Sequence, residues 1–137
     1  MAKNLTRSKW LLTLGGLLSG LSVGLGAMAA HGLKTVLSPE LLAVFQTGVQ
    51  YQFLHALALL ACALLLSSPW GIKAQKYFFA AAICFIIGIF CFSGSLYALA
   101  LTGIKWLGPI TPLGGAMFMV GWGLFAYAAL QIKEDNK

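Results

Sequence analysis

Most of the side chains that could do chemistry in this otherwise apolar chain lie in a few short stretches. The stretch FQTGVQYQFLHALALL, residues 45–60, contains three glutamines, a tyrosine and a histidine within ten residues. The stretch FSGSLY, residues 92–97, adds two serines and another tyrosine, and a further histidine lies at position 31. An imidazole can act as a base or a metal ligand, and amide and hydroxyl groups can hold a small molecule by hydrogen bonds. These stretches are therefore the first candidates for a site.

The residue combinations that define known catalytic centres are absent from the sequence. There is no Ser-His-Asp set, no pair of carboxylates, no phosphate-binding loop and no Cys/His cluster with metal spacing. The three acidic residues, Glu40, Glu134 and Asp135, lie outside the apolar segments, so no carboxylate can orient a histidine there. We predict that the protein is not an enzyme, has no cofactor, and has no catalytic, cofactor-binding or metal-binding residues.

Two alternatives stay open beside this prediction. A small proton-coupled transporter normally carries an ionisable group within the membrane, and His55 is the residue that could serve here. A haem could be held by His31 and His55, because bis-imidazole ligation needs only two facing rings, and a quinone could occupy a polar pocket. Against haem, we expect His31 at the membrane edge and His55 well inside it.

These side chains must be positioned by membrane-spanning helices. The chain is 60% hydrophobic and 9% charged, and its mean hydropathy is +0.88. Four segments contain no Asp, Glu, Lys or Arg, and each can cross a hydrocarbon core of about 30 Å as a helix. They are residues 10–30, 49–66, 77–101 and 113–132. Because no segment alternates as a membrane strand would, we predict an all-α, integral membrane four-helix bundle that forms a single domain, residues 1–137.

The nine basic residues predict how the bundle is oriented. Seven of them lie before span 1, between spans 2 and 3, or after span 4, and two lie in the other two connections. The first set is Lys3, Arg7, Lys9, Lys73, Lys76, Lys133 and Lys137, and the second is Lys34 and Lys105. Because basic residues are enriched in cytoplasmic segments, we expect both termini in the cytoplasm. The net charge of +6 thus reflects membrane topology, and we expect no nucleic-acid partner.

Turn residues predict where two of the helices begin. Ser38 is a good N-cap, Pro39 suits the first helical position, and Glu40 places an acid in the first turn. We therefore expect a short amphipathic helical segment that starts near Pro39, outside the bilayer, and leads into span 2. By the same reasoning Thr111 can cap span 4, with Pro112 in its first turn.

Span 1 carries small residues that are suited to helix packing. Gly16, Gly20 and Gly24 recur at four-residue spacing, and Gly26 lies on an adjoining stripe. Such stripes let helix backbones approach closely in lipid. We predict that these glycines pack against another helix, either within the bundle or in a homo-oligomer.

The predicted topology collects the polar residues in the outer half of the membrane. That half receives the end of span 1, the start of span 2, the end of span 3 and the start of span 4. The candidate pocket residues there are His31, Gln46, Gln50, Tyr51, Gln52, His55, Ser93, Ser95, Tyr97 and Thr111. Because an unpaired polar group in lipid costs several kcal/mol, we expect these groups to face inward, with Gln52 and His55 central, and a pocket between spans 2 and 3. Trp122, in the middle of span 4, also needs a partner for its indole N–H.

Four stretches in order along the chain resemble one known family. They are GAMAAHGL (26–33), FQTGVQYQFLHALALL (45–60), FSGSLYALALTG (92–103) and LGPITPLGG (107–115). Together they resemble the YgdD-like family of small bacterial inner-membrane proteins, to which a small transmembrane protein of animals is related. The resemblance implies a four-span protein of the bacterial inner membrane whose molecular function is unassigned. It implies no catalytic residues.

These patterns favour a non-enzymatic helix bundle with a polar pocket or network in the outer leaflet. Such a protein would act as an accessory subunit of a larger membrane complex, or would bind a small molecule or a lipid. A network that only holds the helices together is the competing interpretation, and the residue types fit both.

Overall fold

The computed structural model describes residues 2–134, and these residues form helices and short connections. The α-helices are α1 (Ala2–His31), α2 (Pro39–Leu66), α3 (Ile72–Gly88), α4 (Gly94–Thr102) and α5 (Ile110–Leu130). A π-helical turn, Ile89–Ser93, joins α3 to α4, and short 3₁₀ turns occupy Leu33–Thr35 and Lys105–Leu107. No strand occurs in the part of the chain that the structure describes. The all-α prediction is confirmed.

Within residues 2–134, four helical segments are long and apolar enough to cross a membrane, as predicted. Three of them contain α1, α2 and α5, and α3, the π turn and α4 together form the third span along the chain. α2 has 28 residues, which at 1.5 Å per residue is about 42 Å. This length exceeds the roughly 30 Å of a hydrocarbon core, so the helix extends beyond it.

The start of α2 agrees with its turn residues. Ser38 is the N-cap, and its hydroxyl accepts a hydrogen bond from the Leu41 N–H at 3.2 Å. The helix begins at Pro39 and continues through Gly48 without a break. The segment that leads into span 2 and the span itself are therefore one helix.

The start of α5 corrects the prediction for Thr111. The helix begins at Ile110, and Pro109 occupies the N-cap position without a side-chain cap. The Thr111 N–H donates to the Gly108 carbonyl at 3.1 Å within the first turn. Because the backbone of this turn does not use the Thr111 hydroxyl, that group can bond to a neighbouring helix.

α2 lies between α1 and the third span. α1 packs along α2, α3 and α4 pack on another side of α2, and α5 packs against α3 and the π turn. The main hydrophobic core therefore draws on four helices, with Leu18 from α1, Leu59 from α2, Phe85 from α3 and Phe118 from α5.

Glycines permit the closest helix contacts of this bundle. A Cβ at Gly114 would lie 2.7 Å from the Phe92 Cα, and one at Gly15 would lie 2.7 Å from the Leu60 Cδ2. At Gly114 the obstacle is the Phe92 backbone, so a larger residue would force α5 away from the π turn. At Gly15 the Leu60 side chain can move aside, and the tight contact that remains is the Ala56 carbonyl oxygen of α2, 3.1 Å from the added Cβ. Gly114 thus sets how closely α5 approaches the π turn, and Gly15 sets how closely α1 approaches α2.

The predicted packing glycines of span 1 differ in their surroundings. A Cβ at Gly26 would lie 3.5 Å from the Val49 side chain, in ordinary contact with α2. A Cβ at Gly16, Gly20 or Gly24 would meet nothing within 4 Å. These three glycines face out of the bundle, so their packing role stays a prediction that concerns a helix outside this chain.

The π turn changes which way the polar residues of the third span face. A π turn contains about one residue more than an α-turn, so it rotates the following side chains by roughly 100°. Ser93, at its end, contacts α2, and Ser95, two residues later, contacts α5. Because residues two apart on a helix face roughly opposite sides, these two serines bond the third span to both of its neighbours.

Candidate functional site

Gln52 is the polar residue that joins most helices in this structure. Its side chain is 2% exposed. The amide Nε2 donates to the Leu18 carbonyl of α1 at 2.9 Å, and Oε1 accepts from the Tyr97 hydroxyl of α4 at 2.6 Å. One side chain of α2 thus bonds to the first and third spans together.

His55, one turn further along α2, has both ring nitrogens engaged. Nδ1 lies 2.7 Å from the Tyr51 carbonyl oxygen, and the Trp122 indole N–H donates to Nε2 at 3.0 Å. A carbonyl can only accept and an indole N–H can only donate, so the proton must be on Nδ1 and the lone pair on Nε2. This arrangement specifies the neutral Nδ1–H tautomer and leaves no nitrogen free to bind a metal or accept a proton.

Aromatic rings enclose the His55 imidazole. The Phe118 ring stacks on it with centroids 3.6 Å apart and planes 11° apart, and the Phe85 ring centroid lies 5.5 Å away. The imidazole is 4% exposed. Packing and hydrogen bonds therefore hold the ring in one orientation.

Serine hydroxyls make two further links from the third span. Ser93 donates to the Gly48 carbonyl of α2 at 2.7 Å, and the Ser95 and Thr111 hydroxyls lie 2.6 Å apart across α4 and α5. A Cβ at Gly48 would lie 2.7 Å from the Tyr97 ring, so glycine is needed for the ring to reach Gln52. The polar side chains between α2 and the third span therefore have their hydrogen-bond partners within the protein.

Four of the ten predicted pocket residues do not join these bonds through their side chains. His31, Gln46 and Gln50 are exposed, and their side chains make no hydrogen bond among the described residues. Tyr51 is 39% exposed, and its ring lies 4.7 Å from the Phe92 ring centroid. The other six predicted residues each make a hydrogen bond to another part of the chain: Gln52, His55, Ser93, Ser95, Tyr97 and Thr111. His31 is not part of this group.

A groove of about 490 Å³ lies between α2 and α5, beside these bonds. Its walls are Tyr51, His55, Phe92, Pro112, Gly115, Ala116, Phe118, Met119 and Trp122. Met119 and Trp122 are 77% and 45% exposed, so the groove is open to the surface of the bundle. Its size falls within the range of roughly 300–1,000 Å³ that is usual for small-molecule sites.

One residue of this groove, Trp122, could be singled out from the sequence. Trp122 was expected to need a partner for its N–H, and the structure supplies the His55 Nε2. Phe92 and Phe118 could not be distinguished from other apolar residues of the spans, because a membrane helix is apolar on all sides and its periodicity is weak.

Comparison with known proteins identifies the family. A family model described as "Protein of unknown function (DUF423)" matches residues 25–115. The chain belongs to the DUF423 family. The matched region includes Gln52, His55, Ser93, Tyr97 and Thr111, and it ends before Trp122. The resemblance noted from the sequence is therefore confirmed.

Several relatives match this chain over most of its length and most of their own. The UPF0382 membrane protein YwdK of Bacillus subtilis is 42% identical over 123 residues, which cover 90% of this chain and 98% of the relative. A UPF0382 membrane protein of Haemophilus influenzae is 40% identical over 90% of this chain and 95% of its own. The UPF0382 inner membrane protein YgdD of Escherichia coli is 32% identical over 94% of this chain and 95% of its own. No solved structure matches the chain. This protein is a multi-pass membrane protein of a family with no assigned function.

The Gln52 bonds predict a stability difference between two neighbouring glutamines. Gln52→Leu removes bonds to two helices and should lower the free energy of unfolding by about 1–2 kcal/mol, the upper range for such bonds in membranes. Gln50→Leu, at an exposed glutamine without a side-chain bond, is the matched control and should change it little. Unfolding by SDS in mixed micelles, followed by tryptophan fluorescence, measures both. Equal stability of the two variants would contradict the assignment. Tyr97→Phe should add little to Gln52→Leu, because the hydrogen bond that it removes, from the Tyr97 hydroxyl to Gln52, is already absent in that variant.

Proposed function

We propose that this protein is a non-enzymatic membrane helix bundle that binds a lipid-soluble molecule in the groove between α2 and α5. The observation that carries the proposal is the aromatic lining of an open groove next to a rigid, fully bonded histidine. A preformed apolar cleft with few polar groups is the usual form of a small-molecule site. The groove opens on the surface of the bundle that lipid surrounds.

The chemistry of the lining favours a flat, mostly apolar ligand with one hydrogen-bonding group. Phe92 and Trp122 offer ring surface to such a ligand, and the buried Phe118 ring forms the floor of the groove beside His55. The Tyr51 hydroxyl makes no hydrogen bond to other described residues, so it is the group that can bond to a ligand. A quinone headgroup or a related ring compound has these properties.

Binding without catalysis is supported by the state of His55. Its two nitrogens are bonded to Tyr51 and Trp122, so the groove contains no free base. Neither acidic residue that the structure describes, Glu40 or Glu134, lines the groove. A proton-coupled transporter or a haem ligand would need Nε2 of this imidazole to be released from the Trp122 indole N–H.

An accessory role in a larger membrane complex, or a homo-oligomer, is a second candidate. Gly16, Gly20 and Gly24 have no neighbour within this chain and present a smooth face of α1 to the membrane. Faces of this kind let another membrane helix approach closely. The mass of the gently solubilised protein reports this association directly.

We also propose that the protein lies in the bacterial inner membrane with both termini in the cytoplasm. The name of the relative YgdD places that protein in the inner membrane. In this structure the start of α1 is joined to the start of α3, since the Asn4 amide donates to Gln75 at 2.8 Å. Basic residues are concentrated at this end of the bundle, and Lys34 and Lys105 lie at the other end; Lys137 is outside the described residues.

Reporter fusions test this orientation. Green fluorescent protein at either terminus should fluoresce, and alkaline phosphatase at either terminus should be inactive, because the first folds in the cytoplasm and the second does not. Alkaline phosphatase inserted in the connection between α1 and α2, next to Lys34, should be active. Active phosphatase at the termini, or an inactive one in that connection, would contradict the proposed orientation.

Filling the groove tests its role in binding. In Gly115→Leu the new Cβ would lie 3.8 Å from the Phe92 ring, an ordinary contact, and the rest of the side chain would occupy the groove. Gly123→Leu is the matched control, because it makes the same change on α5 where no atom lies within 4 Å. Native mass spectrometry of protein extracted in mild detergent should show a bound non-protein mass in the wild type and the control, and not in Gly115→Leu.

Two results of this experiment would overturn the binding proposal. One is a wild-type spectrum without a bound molecule, and the other is the same bound mass in Gly115→Leu as in the control. Chromatography and mass spectrometry of the extracted molecule identify its chemical class. A lipid chain without a ring would contradict the assigned ligand class, although it would support binding at the groove.

A further inference from the structure

A second concave surface lies at the end of the bundle where α1 and α3 begin. Its first part is a recess of about 230 Å³ lined by Lys3, Asn4 and Arg7 of α1 and by Ile72, Gln75 and Lys76 of α3. Three of these six side chains are basic, and neither of the described acidic residues, Glu40 and Glu134, lines the recess. This basic recess is therefore suited to a negatively charged group.

Hydrogen bonds hold the wall of the basic recess in place. The Asn4 Nδ2 donates to the Gln75 Oε1 at 2.8 Å, and the Gln75 Nε2 donates to the Ser68 carbonyl at 2.8 Å. This relay joins α1, α3 and the connection that precedes α3. The basic side chains thus project from a fixed frame, although each of them is long and flexible.

The second part of the surface is an apolar groove that starts at the basic recess. This α1–α3 groove has a volume of about 300 Å³. It is lined by Thr6, Arg7, Trp10, Leu11 and Leu14 of α1 and by Phe79, Ile83 and Ile86 of α3. The interval from Arg7 to Leu14 corresponds to about 10 Å of helix. Arg7 lines both the recess and the groove, so the two are adjacent.

The position of Arg7 connects the charged part of the surface with the apolar part. Its guanidinium carbon lies 4.1 Å from the centroid of the Phe79 ring. A cation over an aromatic face is attracted to it, and the contact is stronger away from bulk water. The arginine charge is thereby held at the mouth of the α1–α3 groove, where the basic recess begins. Trp10 lies beside it, as expected for a side chain at the membrane boundary.

We propose that this surface binds an anionic phospholipid, with its phosphate among Lys3, Arg7 and Lys76 and an acyl chain in the α1–α3 groove. A positive recess that continues into an apolar groove is complementary to both parts of such a lipid. Basic pockets between membrane helices are a recognised form of site for anionic headgroups. A free anion would use the recess and leave the groove unexplained, and a neutral lipid would use the groove and leave the three cations unexplained. This site is separate from the groove between α2 and α5 and does not depend on the function proposed for it.

Lipid titration of the purified full-length protein tests the proposal. Native mass spectrometry in neutral detergent compares phosphatidylglycerol with phosphatidylcholine of the same chains. The wild type should bind phosphatidylglycerol at least about fivefold more tightly, since a single basic group near an anionic headgroup contributes a preference of about that size. Inorganic phosphate at the same concentration should not displace the lipid.

Matched variants separate a built site from general attraction between opposite charges. Arg7→Gln with Lys76→Gln should remove the preference for phosphatidylglycerol. Lys9→Gln with Lys73→Gln removes the same charge at the same end of the bundle, outside the recess, and should keep the preference. Ile83→Trp, which fills the α1–α3 groove without changing charge, should weaken the binding of phosphatidylglycerol.

Each alternative has a distinct result that overturns the proposal. Equal binding of the two lipids by the wild type would exclude an anionic-lipid site. If both double variants lose the preference for phosphatidylglycerol equally, the lipid is attracted to the whole charged end of the bundle and not to the recess. Displacement by inorganic phosphate, or full binding by Ile83→Trp, would indicate a site for anions alone. If Arg7→Gln with Lys76→Gln does not fold, Ile83→Trp and the phosphate competition still decide between lipid and anion.

Discussion

Each polar atom inside the hydrocarbon layer must find its partner within the protein, because lipid chains offer none. This constraint explains why the most chemically promising side chains of the sequence are also the most firmly bonded ones. Gln52 joins α2 to α1 and α4, and His55 joins α2 to α5 through Trp122. Without a hydrophobic force between helices in lipid, such bonds and close packing at small residues hold the spans together. The polar residues of α2 therefore position all the other spans.

The same constraint separates the groups that are bonded within the protein from the groups that can still contact a ligand. The atoms of His55 and Gln52 that could bind a ligand are bonded within the chain, whereas the exposed Trp122 ring and the partly exposed Phe92 ring are open at the groove. The protein is therefore better suited to binding a molecule by apolar and aromatic contacts at its surface than to polar chemistry at its centre. The locked imidazole contributes a rigid wall to the groove, and rigid walls reduce the entropic cost of binding.

Much of the fold could be predicted from the sequence, and less of the site. Hydropathy identified four spans, and Ser38 and Pro39 marked the start of α2, because composition and turn chemistry are local properties. The direction in which each span faces depends on how the helices pack, which is not a local property of the sequence. Gly16, Gly20 and Gly24 form a clear pattern, yet the face of α1 that packs on α2 contains Gly15. The π turn gave no signal in the sequence. The His55–Trp122 bond joins residues that are far apart in the sequence, and only the packing of α5 shows it.

Tyr51 and Trp122 lock His55 as a structural group. Nitrogen-15 NMR of the histidine side chains in a lipid bilayer at neutral pH tests this, with the exposed His31 as an internal reference. We expect one neutral His55 tautomer, protonated at Nδ1 and unprotonated at Nε2, with an Nε2 signal that shifts in Trp122→Phe while that of His31 does not. A proton on Nε2, or averaging between tautomers like that of a free imidazole, would contradict it.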